Sequence, residues 1–440
     1  MQHHDTPTAP PSALERSFAR LTGSAPDALD RDEAGNGLLH VAALSLTKAA
    51  DSLIDPKLVL SWLLTALGAP GMVIGALVPV REAGALLPQL ALARQVEQAV
   101  QRKRIWAAGA LVQGLAALGI AAAVLTLEGA AAGWTVLALL ALLATARSAA
   151  SVSYKDVLAR TIAKGRRGAV TGFAGAAAAI AAFGFGLAMA LGLFAVAVAV
   201  PVLAGAVALA GAAFVLAGVL FLRLKEPENG AGEAETAGID ALIRPLREDR
   251  QLQIFVAARA ALTVTALAPP FIVMLSSAGE AGSSDAGALD QLGPMVMAST
   301  AAAVLSSYVW GRLSDRSSRQ TLMAAGGLAA LVLLLTGLAG WLWGGLGGAW
   351  GAGLAIFAAQ IAYEGVRQGR KLHLTDMAED DFRARYTALS NTLIGVALMA
   401  GGLFGLAADY VGPAILLVAF AGISAVGAAI AGQLDEVQKV

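Results

Sequence analysis

Cysteine is absent from all 440 residues, which excludes disulfides, thiolate metal sites and a cysteine nucleophile. Charge is scarce as well: Asp, Glu, Lys and Arg make up 14% of the chain against 57% hydrophobic residues, a balance that suits lipid rather than water as the solvent. The net charge is +0, so there is no electrostatic case for nucleic acid. No nucleophile, base and metal set recurs at meaningful spacing, so neither an enzyme nor a cofactor or metal is expected. Residues 1–37 are polar and lack a signal-peptide core, and read as a cytoplasmic tail.

The next absence is local. Six gaps between hydrophobic segments contain no Lys or Arg, and they alternate with gaps rich in both. A helix crossing a ~30 Å hydrocarbon core needs ~20 apolar residues. The uncharged run from Ala169 to Leu222 is too long for one crossing and divides near Gly192 to Pro201. The stretch from Gln320 to Tyr363 divides at the glycine-rich Trp343 to Gly351 segment, and the last stretch at Asp409 to Pro413. Ile105 to Leu127, Ala131 to Val152, Leu252 to Ser276 and Gln291 to Trp310 are single spans. Near the N-terminus, hydropathy alone finds one clean span, at Leu58 to Val80. Keeping the alternation requires two, Leu38 to Gly68 and Pro70 to Ala93. The expectation is an all-α polytopic membrane protein of twelve helices.

The bias against translocating basic loops then places Arg94 to Arg104, Lys155 to Arg167, Arg223 to Arg250, Arg312 to Arg319 and Arg367 to Arg385 in the cytoplasm. Both termini follow, in a cytoplasmic (inner) membrane. A central loop over residues 223–251 separates a six-helix half at 38–222 from another at 252–433, and 434–440 form a second tail.

Gly311-Arg-Leu-Ser-Asp315-Arg316-Ser-Ser-Arg319 follows the eighth span. With twelve helices, a 6+6 division and a long central loop, the chain resembles the major facilitator superfamily of transporters over about Leu38 to Gln433, and the motif is similar to that family's G-x-L-x-D-R-x-x-R signature. The resemblance implies a cytoplasmic gate in which Gly311 lets helix ends approach while Asp315, Arg316 and Arg319 form a charged clasp. The first-half loop has no Asp-Arg core. Arg147 matches an antiporter arginine of helix four without the residues that follow it, and helix five lacks a Gly-Pro pair, so the drug:proton exporter branch is not indicated.

An ionised side chain at the bilayer centre costs ~2.5 to 3.5 kcal/mol on insertion scales, which makes each one a functional candidate. The first span holds Lys48, Asp51, Asp55 and Lys57, with Ser45, Lys48, Ser52 and Asp55 on one helical face. Arg81 and Glu82 lie in the second, Arg147 in the fourth, Arg259 in the seventh, and Gln360 and Glu364 in the tenth. The resemblance implies that helices one, four, seven and ten line a central cavity. Asp51 and Glu82 are the leading proton carriers, and Arg147 and Arg259 suit an anionic group or a counter-ion role. A structural reading, in which these charges pair permanently or snorkel, competes for each of them. His40 and His373 are isolated and read as solvent-facing or interfacial, and Asn391 as a polar packing contact.

The function expected is secondary transport of a small polar or charged solute, with proton coupling through Asp51, Asp55, Glu82 or Glu364. The alternative is a non-transporting sensor or assembly factor on the same scaffold. There is no P-loop, so nucleotide-driven transport has no support.

Overall fold

The computed structural model describes residues 12–26, 29–89, 92, 96, 98–191, 199–227, 244, 246–278, 288–377 and 383–438. Among these residues the regular structure is helical, with no strand. In chain order the helices are α1 (Ala13–Thr22), α2 (Arg31–Leu53), α3 (Val59–Ala66), α4 (Gly71–Leu86), α5 (Arg102–Thr126), α6 (Gly129–Thr161), α7 (Arg167–Ala190), α8 (Ala199–Leu222), α9 (Arg250–Leu262), α10 (Val264–Ala278), α11 (Ala288–Arg316), α12 (Ser318–Trp343), α13 (Gly348–Met377), α14 (Arg383–Gly401), α15 (Leu403–Val411) and α16 (Pro413–Ala431).

Nine stretches among the described residues are long and apolar enough to cross a bilayer: α5 to α8, α9 with α10, α11, α12, α14 with α15, and α16. The other three crossings of the expected twelve fall on α2 with α3, on α4 and on α13. These are the helices that carry most of the intramembrane charge. The nine expose Leu115, Ile180, Leu209, Leu305 and Leu331, as helices bathed in lipid must.

Pro56 interrupts the first crossing, because it has no N–H to donate and the helix stops at Leu53. Asp55 Oδ1 accepts from Lys57 N at 2.7 Å and Pro56 O accepts from Ser61 Oγ at 2.6 Å, so side chains satisfy part of the broken backbone. Irregular backbone at membrane depth persists only where it lines a cavity or is covered by protein.

Several expected boundaries shift. Lys155 and Arg160 ride on α6, and Arg367, Arg370 and Lys371 on α13, so basic segments read as loops are largely helix. Apolar length measures only the lipid crossing, and these helices continue into the polar zone. The 1–37 segment is not a featureless tail. Ser12 and Glu15 form a capping box at the start of α1, which holds the Glu15 carboxyl below its ordinary value. Phe18 is buried, α1 packs against α2, and α2 begins seven residues before Leu38. Most of the central 223–251 loop and the acids Glu280 and Asp285 lie outside the described residues.

Two short segments staple the terminus-bearing end in matching fashion. After α8, Lys225 N donates to Asn36 Oδ1 at 2.8 Å, and Glu226 accepts from Arg102 N and Lys103 N at 3.2 and 2.8 Å. After α16, Asp435 N donates to Gln251 Oε1 at 3.1 Å, and Glu436 accepts from Ser317 Oγ at 2.5 Å. Leu224 and Leu434, both buried, anchor the two segments, so Leu-x-Glu recurs after the last helix of each half. The expected 434–440 tail is therefore docked through Gln438.

The halves meet where α4 packs on α14 and α15, where α7 packs on α11, and where α10 packs on α3 and α4. The contacts are tight at the end away from the termini. A Cβ on Gly75 would sit 2.4 Å from Gly405 Cα, and one on Gly293 would sit 2.4 Å from Ala190 N. Asp409 of α15 closes this end: its carboxylate accepts from Gly71 N and Met72 N, each at 2.9 Å, and so caps α4 across the divide. At the other end, a Cβ on Gly168, Gly172 or Gly311 would meet nothing within 4 Å. The bundle is sealed on one side and open on the side of its termini.

Removing such a cap costs about 1 kcal/mol, so Asp409→Ala is expected to raise the population open at the sealed end roughly fivefold. Spin labels on cysteines replacing Ala66 and Tyr410 would report it as a longer-distance component, and an unchanged distribution would remove the cap from the closure.

Candidate functional site

Asp51, near the end of α2, is the hub. Its Oδ1 accepts from Arg81 of α4 at 2.5 Å and pairs with Arg147 of α6. One carboxylate thus ties three helices together and answers both Arg81 and Arg147. Arg81 is buried and its charge is committed, whereas the Arg147 side chain stays 39% exposed and faces open space. Removing one member of such a buried group leaves an uncompensated charge, typically costing ~3 to 5 kcal/mol.

Around the hub the cavity forms three connected chambers of about 510, 340 and 240 Å³. Together they have the size range of small-molecule sites. The largest runs from Lys48, Asp51, Ser52 and Asp55 across to Gly175 and Ala178 of α7, Ser299, Thr300 and Ser307 of α11, and Gln360 and Arg367 of α13. The second lies towards the termini, between Lys48, Gln113, Arg147, Tyr154 and Lys155. The smallest holds Asp55, Lys57, Arg81, Glu82 and Arg147. Six cations and three carboxylates line the three chambers.

Lys48 Nζ reaches Thr171 O at 3.3 Å. Lys57 Nζ lies 3.5 Å from the centre of the Tyr363 ring, a cation–π contact that joins the broken first crossing to α13 of the other half. On α13, Glu364 is buried and accepts from Gln360 Nε2 at 3.1 Å and Arg367 at 3.4 Å, while its second oxygen has no partner. Among the described residues no group of three or more His, Asp or Glu side chains could hold a metal ion.

The structure therefore brings Lys48, Asp51, Asp55, Arg81, Glu82, Arg147 and Gln360 to one cavity, with Glu364 behind its wall. Arg259 does not join them. It is buried in the second half, donating to Ser390 Oγ at 2.6 Å and Asn391 Oδ1 at 3.0 Å, and lines none of the three chambers. A seventh crossing on the cavity is thus not seen; α7 and α11 supply its walls instead. The hydroxyl wall of α11 and Tyr363 went unread, although Ser299, Ala303 and Ser307 recur at helical spacing.

The motif after α11 takes another form than the clasp expected. Asp315 and Arg316 are exposed at the end of α11, Gly311 faces open space, and Arg319 lies 3.7 Å from Glu436 of the docked tail. The two histidines are corrections as well. His40 is buried, 2.8 Å from Thr161 Oγ1 and edge-on to Tyr154 and Phe221. His373 is buried, 2.8 Å from Ser318 Oγ and stacked on Phe255. Isolation along the chain says nothing of which helix face a residue occupies.

Solved structures share this architecture. The nucleoside transporter NupG superposes with a TM-score of 0.66 at 13% identity, over 91% of this chain and 98% of its own. A POT family transporter in complex with a thioalcohol-conjugated peptide gives 0.66 at 11%, over 90% and 94%. A D-xylose-proton symporter gives 0.63 at 14%, over 92% and 98%. No curated protein matches the sequence significantly. These likenesses speak for the fold, and the sequence profile of the Major Facilitator Superfamily matches residues 43–367, three-quarters of the chain and all of the cavity helices but the start of α2 and the end of α13. The chain belongs to the Major Facilitator Superfamily, and is a transporter rather than an enzyme.

Proposed function

We propose that the chain moves a small polar or charged solute across the cytoplasmic membrane by alternating access, the six-helix halves rocking about the Asp51 cavity with both termini in the cytoplasm. The observation that carries the reading is the arrangement around Asp51. A charged cavity extends towards the termini through its second chamber, while helices of opposite halves meet backbone on backbone at Gly75 and Gly405. Both halves contribute to the chamber walls, so closing it on one side and opening it on the other requires only that the halves tilt.

Asp51, Asp55, Glu82 and Glu364 are the groups through which a proton gradient would act. A proton on Asp51 removes the charge that holds Arg147, frees that guanidinium for the solute, and loosens α2 from α6. A ligand or proton shifts the two states only through such a difference in affinity. The solved transporters named above include one for a nucleoside and one that couples D-xylose to protons, which shows the breadth of cargo that this fold accepts.

In proteoliposomes under a pH gradient, Asp51→Asn is expected to lower solute-coupled proton movement on the order of tenfold, a barrier change of ~1.4 kcal/mol. Undiminished movement would remove Asp51 from the coupling. The rocking itself is checked by two spin-label pairs on engineered cysteines, Ala66 with Tyr410 at the sealed end and Lys164 with Gln320 at the open end. Solute or acid is expected to lengthen the first distance while shortening the second. Static distances would sink alternating access, and binding without flux would favour the sensor or assembly-factor role.

A further inference from the structure

The charges in the cavity do not balance, and the excess has an address. Arg81, Asp51 and Arg147 together leave one positive charge, which Arg147 presents to the chamber. In the smallest chamber, Lys57 sits among Asp55 and Glu82, leaving one negative charge beside buried Arg81. Arg367 is matched by Glu364. What remains are Lys155, exposed at the wall of the second chamber, and Lys48, which forms no ion pair among the described residues and holds the Thr171 carbonyl. The Lys48 ammonium lines the two larger chambers at their junction, where Asp51 attracts it and Arg367 and Arg147 repel it. Asp51 is already held by Arg81 and Arg147, so Lys48, Arg147 and Arg367 share this space with a carboxylate committed elsewhere, an arrangement that an entering anion improves.

The wall facing these cations sets hydrogen-bonding side chains among apolar ones. Ser299, Thr300 and Ser307 of α11 and Gln360 of α13 line it, and small alanines of α7 leave room beside them. Resting on the transport reading, we propose that the cargo is a small hydroxylated organic acid whose carboxylate docks between Lys48 and Arg147 while its body lies along the hydroxyls of α11. Arg147 already gives one nitrogen to Asp51 and keeps others for the cargo, and Lys48 supplies a point charge on a flexible stem. A cationic cargo would instead need a carboxylate clear of cations, and the three in the chambers adjoin Lys57, Arg81 or Arg147.

The absence of cysteine lets the cavity's field be read directly, with no cargo identified beforehand. Ser299→Cys places a single thiol on the chamber wall. Its rates with a sulfonate-bearing and a trimethylammonium-bearing methanethiosulfonate are compared with those of a surface thiol, Gln320→Cys. The anion-to-cation rate ratio at Ser299→Cys is expected to exceed the surface ratio by about tenfold, the enrichment that a lined cleft confers on a counter-ion. Adding Lys48→Gln is expected to remove most of that excess, whereas Lys48→Arg keeps it, and D-gluconate is expected to slow labelling more than D-glucose does. A ratio favouring the cation, or one that Lys48→Gln leaves unchanged, overturns the anionic cargo. Labelling slowed equally by D-glucose overturns the carboxylate contact. Either result leaves transport standing if the spin-label pairs still move in opposite senses. Static labels together with an anion-favouring ratio would sink transport and leave the anion site in place.

Discussion

The requirement that every charge inside a low-dielectric slab find a partner or reach water governs this structure. Asp51 is where the requirement is met. Without it, Arg81 would be a buried cation with no ion pair and Arg147 would have no anchor. The charges are thus both the reason these crossings need neighbours and the means by which the neighbours are gripped. The same logic explains the break at Pro56. Backbone groups freed there are met by Asp55 and Ser61, and the residues around the break face the cavity instead of lipid.

Grip on one side of the molecule and freedom on the other follow from side-chain size. Glycines meet at the sealed end, where helices of opposite halves touch backbone to backbone. At the other end each half is held together internally by its own Leu-x-Glu segment. Polar contacts at that end therefore run within halves. Across the centre, the contact of Lys57 with Tyr363 is soft, without the strict geometry of a bidentate ion pair, and suits two bodies that must slide.

Much of this was legible in the sequence because lipid imposes a simple grammar. Apolar runs and the alternation of basic with cation-free gaps led to the expectation of twelve crossings, of which nine described stretches are long and apolar enough to cross; the cost of burying charge led to Lys48, Asp51, Asp55, Arg81, Glu82 and Arg147, and helical spacing to Gln360. Arg259 shows where that reasoning stops. Cost marks a charge as remarkable in energy but does not say whether its partner is a cavity or a pair of polar residues on the next helix. Ser299 and Thr300 escaped for the opposite reason, since a hydroxyl in a helix bonds its own backbone at little cost and gives no alarm. His40 and His373 were misplaced because a single polar residue in a polar-flanked segment carries no periodicity from which a face can be read.

The cap on α4 carries one further implication. Asp409 holds Gly71 and Met72 by their backbone amides. A Cβ on Gly71 would sit 2.2 Å from Asp409 Oδ1, so the grip needs glycine at that position, whereas Met72 gives only its amide. The partnership therefore leaves its mark on two residues, the carboxylate and the glycine, while the side chain at position 72 can drift through mutation without loosening the bond.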